Sequence, residues 1–269
     1  MKTLYVSDLD GTLLRSNEST SEFTNSVINS LVEKGMLFTY ATARSAVTAK
    51  KVTKGLNAKI PLIVYNGAMV IDNVTEELLL SNFFDDSVHS LLNDLFGNGI
   101  YPIVYSFISG KETFSFAPSF NTRGMKKFLD TRHGDPRRKE VDSPELLHEG
   151  EIFYVTCIDE EEKLKPLYEK YKDHYRCLFQ RDIYSNEQWL EIMPIGATKA
   201  NAARQLKCMF DCGSLTVFGD GENDIDLFRI ADKSCAVANA NDALKKHADE
   251  IILSNDEDGV AKWLLQNCK

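Results

Sequence analysis

Short apolar runs alternate with helix-periodic segments at both ends of this chain, and that alternation leaves few folds open. Residues 3–7 form a β-run. Ser21 then offers an N-cap, and Phe23, Val27, Ile28, Leu31 and Val32 recur at helical spacing until Gly35 marks a stop. Residues 36–41 (MLFTYA) read as a second strand, 45–56 as a second helix, and 61–65 (PLIVY) as a third strand closed by Asn66-Gly67. This βαβαβ order predicts a parallel sheet with helices on its faces. The pattern resumes late in the chain. Helices are expected over 198–209, near 225–231, over 242–247 and over 256–266, with strands over 215–219 (LTVFG), 234–238 and 250–254 between them.

The middle breaks the alternation. YPIVYSFI (101–108) and ETFSFA (112–117) flank Ser109-Gly110-Lys111, a hairpin signal. IFYVTCI (152–158), a charged helix over 160–172 and two further strands in YRCLFQ and QWLEIM follow. The expected fold class is α/β: a Rossmann-like parallel-sheet core from residues 1–83 and 188–269, with an α+β domain inserted at 84–187. The stretch HGDPRRKE (133–140), with Arg137, Arg138 and Lys139, reads as a solvated surface loop. The aromatic residues Tyr101, Tyr105, Phe107, Phe114 and Phe116 read as sheet packing.

Charge narrows the partners. The 269 residues carry a formal net charge of -9, which argues against a nucleic-acid backbone or an anionic membrane surface. The early apolar stretch is only LYV, too short for a targeting core, and no run reaches transmembrane length. Six cysteines stand without a CxxC pair and read as free thiols of a reducing compartment. A cytoplasmic protein is expected, and no feature sets an oligomeric state.

Ligands of an open parallel sheet bind at the carboxyl ends of its strands. The expected strand ends carry Asp8, Asp10 and Thr12, then Thr42 and Arg44, then Asn66. GDGEND (219–224) follows LTVFG, and Lys199 opens a helix. Asp8, Asp10, Asp220 and Asp224 repel one another unless a cation sits among them. Magnesium suits such a cluster, because it takes one or two carboxylates and keeps waters that a phosphate can replace. Lys199 and Arg44 add fixed positive charge for an anionic ligand. Thr12, Thr42, Asn66 and Asn223 add neutral donors. Together these describe a phosphoryl-transfer site, in which a carboxylate can attack phosphorus. GDGEND is no EF-hand loop: counted from Asp220, the sixth residue is Ile225, not Gly, and the twelfth is Ala231, not Glu. None of the five histidines falls at these strand ends, and none is assigned to catalysis.

DLDGTLL (8–14) resembles the first motif of the haloacid dehalogenase-like phosphatase superfamily. ATAR with Thr42 is similar to its second motif, Lys199 to its third and GDGEND to its fourth. YNGAMV, the large insertion and the tail ILSNDEDGVAKWL (252–264) resemble the Cof-type subfamily. Ala43 and Ala200 stand where the family often has Gly, and neither change removes a reacting group. The resemblance implies that Asp8 is the nucleophile and a magnesium ligand. It implies that Asp10 is the general acid and base and binds magnesium through its backbone carbonyl, with Thr12 positioning it. Thr42 and Lys199 would bind the phosphoryl group, with Arg44 and Asn66 as further phosphate or substrate contacts. Asp220 would ligate the metal, with Asn223 and Asp224 supporting its end of the site. The inserted domain becomes a cap that reads the leaving group. The expected function is a magnesium-dependent (Mg2+) phosphatase acting on a small phosphorylated metabolite, sugar phosphates first. A phosphosugar mutase or a non-enzymatic phosphometabolite-binding regulator are the alternatives.

Overall fold

Leu4 and Val6 are fully buried in the first strand, β1 (Thr3–Ser7), around which the first half of the fold is built. The structure is a computed structural model that describes residues 2–57, 59, 61–182 and 186–268. The chain divides into two units, Met1–Ser81 with Ala197–Lys269, and Asn82–Gly196. The first unit continues with α1 (Glu22–Glu33), β2 (Leu37–Tyr40), α2 (Ala46–Val52), β3 (Leu62–Val64), β4 (Met69–Ile71) and β5 (Leu78–Ser81). Side-chain caps start its helices. Ser21 accepts from the Thr24 N–H at 2.9 Å and Ser45 from the Thr48 N–H at 3.2 Å. β1 and β2 pair in parallel, with Val6 opposite Thr39.

The third strand departs from expectation. β3 meets the parallel sheet through one bridge, Ala41 to Ile63. Its main pairing is antiparallel with β4, which pairs in turn with β5. The turn Tyr65–Gly67 is the cause. Asn66 and Gly67 take φ of 54° and 94°, so the chain doubles back at once.

The second unit contains α3 (Ser87–Gly97), β6 (Ile103–Ile108), β7 (Lys111–Phe116), α4 (Arg123–Asp130), β8 (Arg138–Glu140), β9 (Glu151–Ile158), α5 (Glu161–Tyr171), β10 (Arg176–Arg181) and β11 (Gln188–Met193). Its six strands run in the order β10-β11-β9-β6-β7-β8. The β6–β7 hairpin turns through Ser109 and Gly110, both at positive φ. Leu91, Leu92 and Leu95 of α3 and Leu164 and Leu167 of α5 share one core with Val104, Val155 and Leu190 of the sheet.

Two expectations shift here. β11 pairs antiparallel with both β9 and β10, so residues 188–196 lie with the second unit and not with the core. The expected charged loop holds a strand instead. β8 pairs in parallel with β7, and Arg137 before it is buried. Glu112 at 2.5 Å and Asp135 at 2.7 Å neutralise its guanidinium, which is what allows the charge to leave water.

The chain then returns to the first unit with α6 (Lys199–Met209), β12 (Ser214–Gly219), α7 (Ile225–Ile230), β13 (Lys233–Val237), α8 (Asp242–Lys245), β14 (Glu250–Ile252) and α9 (Gly259–Asn267). An all-parallel sheet results, in the order β14-β13-β12-β1-β2. β1 lies between β2 and β12, so the loops that follow these strands emerge side by side. α9 begins at Gly259, later than the apolar spacing suggests. Ser254 and Glu257 close a capped turn, and Asp258 takes φ of 58°, before the helix starts. No described helix is long and apolar enough to cross a membrane. The six cysteines are free thiols.

Candidate active site

The site grows from the junction of β1 and β12. Ser7 lies opposite Phe218. The Asp8 N–H donates to the Phe218 carbonyl at 2.9 Å, so sheet pairing runs one residue past the strand and fixes the Asp8 backbone. The chain then coils, with the Leu14 N–H on the Leu9 carbonyl at 2.9 Å. Gly11 sits at φ of 76°, and a Cβ there would collide with the Asp220 carboxylate. Glycine thus lets two acid-bearing loops touch. Thr12 Oγ1 donates to Asp220 Oδ1 at 2.9 Å. Asp224 is fully buried, and its Oδ2 accepts the N–H groups of Asp220 and Gly221, each at 3.2 Å.

α6 delivers the cation. Thr198 caps it by accepting the Asn201 N–H at 3.0 Å. A Cβ on Gly67 would strike the Thr198 carbonyl, so the 65–67 turn packs directly on the start of this helix. Lys199 is 3% exposed, and its Nζ donates to Asp8 Oδ1 at 2.5 Å and to Asp224 Oδ1 at 2.7 Å. Burial works against its charge, but Asp224 and Asp8 outweigh that and raise the pKa of the amine. Burial also raises Asp8 well above the carboxylate range. Lys199 opposes this, while Asp224, Asp220 and Asp10 add to it. Asp220 is pushed up to about 6, by burial first and then by Asp224, against the hydrogen bond from Thr12. Burial leads in raising both acids, the neighbouring carboxylates add to it, and Lys199 offsets part of it.

The donor set fits a hard divalent cation. Oxygens of Asp8, Asp220 and Asp224 lie within 4.8 Å of one another. Three carboxylates against the one ammonium of Lys199 leave a formal -2 when ionised, which one divalent cation balances. The donors are all hard oxygens, as magnesium prefers. Asp224 gives Oδ1 to Lys199 and Oδ2 to two N–H groups, so it steadies the site. Asp8 and Asp220 are better placed to face an ion.

Asp10 stands apart from that trio. Arg44 forks its carboxylate, with Nε 2.9 Å from Oδ2 and Nη2 2.6 Å from Oδ1. The same Nη2 lies 3.1 Å from Glu18. Arg44, expected at phosphate or substrate, is therefore held on Asp10. Thr42 is fully buried, and its Oγ1 accepts the Arg44 N–H at 3.0 Å. The Asn66 N–H donates to the Thr42 carbonyl at 2.8 Å, which joins these three residues in one cluster. Asn223 is half-buried in the turn Glu222–Asp224, and its side chain would crowd any Cβ on Gly221.

Two asparagines escaped the sequence reading. Asn239 Nδ2 donates to the Gly11 carbonyl at 2.7 Å, and Asn255 Nδ2 donates to the Leu14 carbonyl at 2.9 Å. Neither carries a charge, and neither stands in the acidic motifs at 8–10 and 220–224. The tail pattern around Asn255 was the one signal available.

Comparison with known proteins adds a second line of support. The profile of a family described as haloacid dehalogenase-like hydrolase matches residues 5–264. A protein of Buchnera aphidicola subsp. Baizongia pistaciae is 30% identical over 285 residues, covering 98% of this chain and 97% of its own. The 5-amino-6-(5-phospho-D-ribitylamino)uracil phosphatase YwtE of Bacillus subtilis is 28% identical over 279 residues, covering 96% of each chain. The X-ray crystal structure of TM0651 from Thermotoga maritima superposes with a TM-score of 0.81 at 26% identity, covering 100% of this chain and 98% of the other.

Proposed function

The chain belongs to the haloacid dehalogenase-like hydrolase family, and on that premise we propose that it is a magnesium-dependent phosphatase of small phosphomonoesters, sugar phosphates first, working through an aspartyl-phosphate on Asp8. One observation carries the reading. Asp8 is buried against Lys199 beside Asp220 and Asp224, which gives a carboxylate nucleophile, a cation for phosphoryl oxygens and a place for a metal in one cluster.

Asp8 and Asp220 would hold magnesium directly, Asp10 through its backbone carbonyl, with Asp224 and Asn223 in support. When bound, the ion supplies positive charge for the phosphoryl oxygens. Asp8 attacks phosphorus and the bond to the leaving oxygen breaks, while Asp10 gives that oxygen a proton. Asp10 then takes a proton from water. The water attacks phosphorus and releases inorganic phosphate, and Asp8 returns to a carboxylate. Thr12 holds Asp220 in place. Thr42 and Lys199 contact the transferring group, with Asn66 at the substrate side, while Arg44 aims Asp10. Sugar phosphates lead the substrate classes because the named substrate of the relative YwtE carries its phosphate on a ribityl chain.

A screen for phosphate release across phosphomonoesters tests this proposal. We expect turnover with magnesium, none in chelator, and a loss of more than about a thousandfold in Asp8→Asn with the fold retained. Full activity in either of the last two conditions contradicts the reading. So does conversion of a sugar monophosphate to its isomer, stimulated by a bisphosphorylated sugar and without release of phosphate.

A further inference from the structure

One short loop touches both acid-bearing loops of the site. It follows β13 and spans residues 238–241. Asn239 Nδ2 donates to the carbonyl of Gly11, the residue after Asp10, at 2.7 Å. The Asn241 N–H donates to the Asp220 carbonyl at 2.9 Å. The loop is itself braced. The Ala240 N–H bonds the Val237 carbonyl at 2.9 Å, and Asn241 caps α8 by accepting the Leu244 N–H at 2.8 Å. Asn239 Oδ1 accepts the Asn255 N–H at 3.0 Å, and buried Asn255 reaches on to Leu14 at 2.9 Å. Gly11 and Leu14 therefore hang on two linked asparagines, while Asp220 hangs on the same loop.

The side-chain contact between the two acidic loops, Thr12 to Asp220, uses a hydroxyl that rotates to suit its partner. Main-chain carbonyls have no such freedom. Their anchors hold the Asp10–Gly11 peptide, beyond the point where sheet pairing fixes Asp8, against the Asp220 loop. Asn239 is suited to this because a primary amide donates and accepts at once.

We infer that Asn239 is a positioning residue that sets the spacing between the Asp10 main-chain carbonyl and the Asp220 carboxylate, and with it the size of cation the site accepts. The inference rests on the proposed magnesium site. Magnesium demands short, near-octahedral bonds, whereas calcium tolerates longer and looser ones. Loosening the Gly11 anchor must therefore cost magnesium more than calcium.

Calorimetric titration of the full chain with magnesium alone and with calcium alone provides the test, on wild type, Asn239→Ala and Asn239→Asp. The Asn239 side chain is exposed, so both variants should fold, and their melting curves check this. Outer hydrogen bonds at metal sites are worth about tenfold or more in affinity, and a magnesium loss of that order is expected in both variants. The calcium loss should be smaller, so the magnesium-to-calcium ratio falls. Asn239→Asp is the sharper probe. Its added negative charge strengthens cation binding by simple attraction, so a weaker magnesium site in that variant reports geometry. Unchanged ratios in both variants overturn the inference and leave the magnesium reading intact. A wild-type chain that binds neither cation overturns both.

Discussion

Asp8 and Asp10 are the same residue type two positions apart, yet the protein surrounds them differently. Asp8 is 5% exposed and faces the Lys199 ammonium, which leaves its carboxylate close to a cation that can also meet phosphoryl oxygens. Asp10 is gripped by the planar fork of Arg44, which fixes its orientation. Motif reading alone could name both acids but could not separate their surroundings. Arg44 lies 34 residues from Asp10 in sequence, and Lys199 lies 191 from Asp8. The division of labour gives a prediction. Arg44→Ala should lower kcat by about a hundredfold, because Asp10 is no longer aimed. Arg44→Lys should recover little, since an ammonium has no fork. Steady-state kinetics on the best substrate checks this. A rise in KM with kcat retained would place Arg44 on the substrate instead.

At the scale of elements, the parallel strands were legible because strands of a sheet covered on both faces read as short, mostly apolar runs such as LYV and LTVF. Partner choice was not. QWLEIM alternates equally well as a core strand or a strand of the inserted sheet, and only its pairing with β9 and β10 decides. That placement buries Glu191 of β11, which accepts from the Tyr154 hydroxyl at 2.7 Å. Burial raises its pKa from 4.5 to about 7, with the Tyr154 bond opposing and Asp182 adding. The sign follows from linkage. The folded state holds the proton more tightly, so this contribution is full below the ordinary value. It falls away as pH rises from about 4.5 towards about 7. Glu191→Gln keeps an acceptor for Tyr154 without the charge. Its stability should gain on wild type across that window, by on the order of 3 kcal/mol at neutral pH, read as a rising difference in melting temperature. Parallel melting curves for the two proteins would contradict the buried carboxyl.

At the scale of the molecule, the chain leaves its first unit after β5, builds a second unit and returns to complete the first. The candidate site therefore joins Asp8, Asp10 and Thr12, from the start of the chain, to Lys199, Asp220 and Asp224, from its last third. It was readable because each of those residues stands at a strand end or opens a helix, and strand ends of one parallel sheet share an edge. The supports were not readable. Asn239 and Asn255 act through main-chain carbonyls, and a carbonyl leaves no mark in a sequence. What unites the account is the claim that Asp8 itself takes the phosphoryl group. The most direct measurement is an acid quench during turnover with magnesium, followed by mass analysis of the peptide that contains residues 8–14. The account predicts one added phosphoryl group on Asp8 in the wild-type protein and none in Asp8→Asn. Sustained turnover with that peptide unmodified, or with the phosphoryl group on another residue, would contradict it.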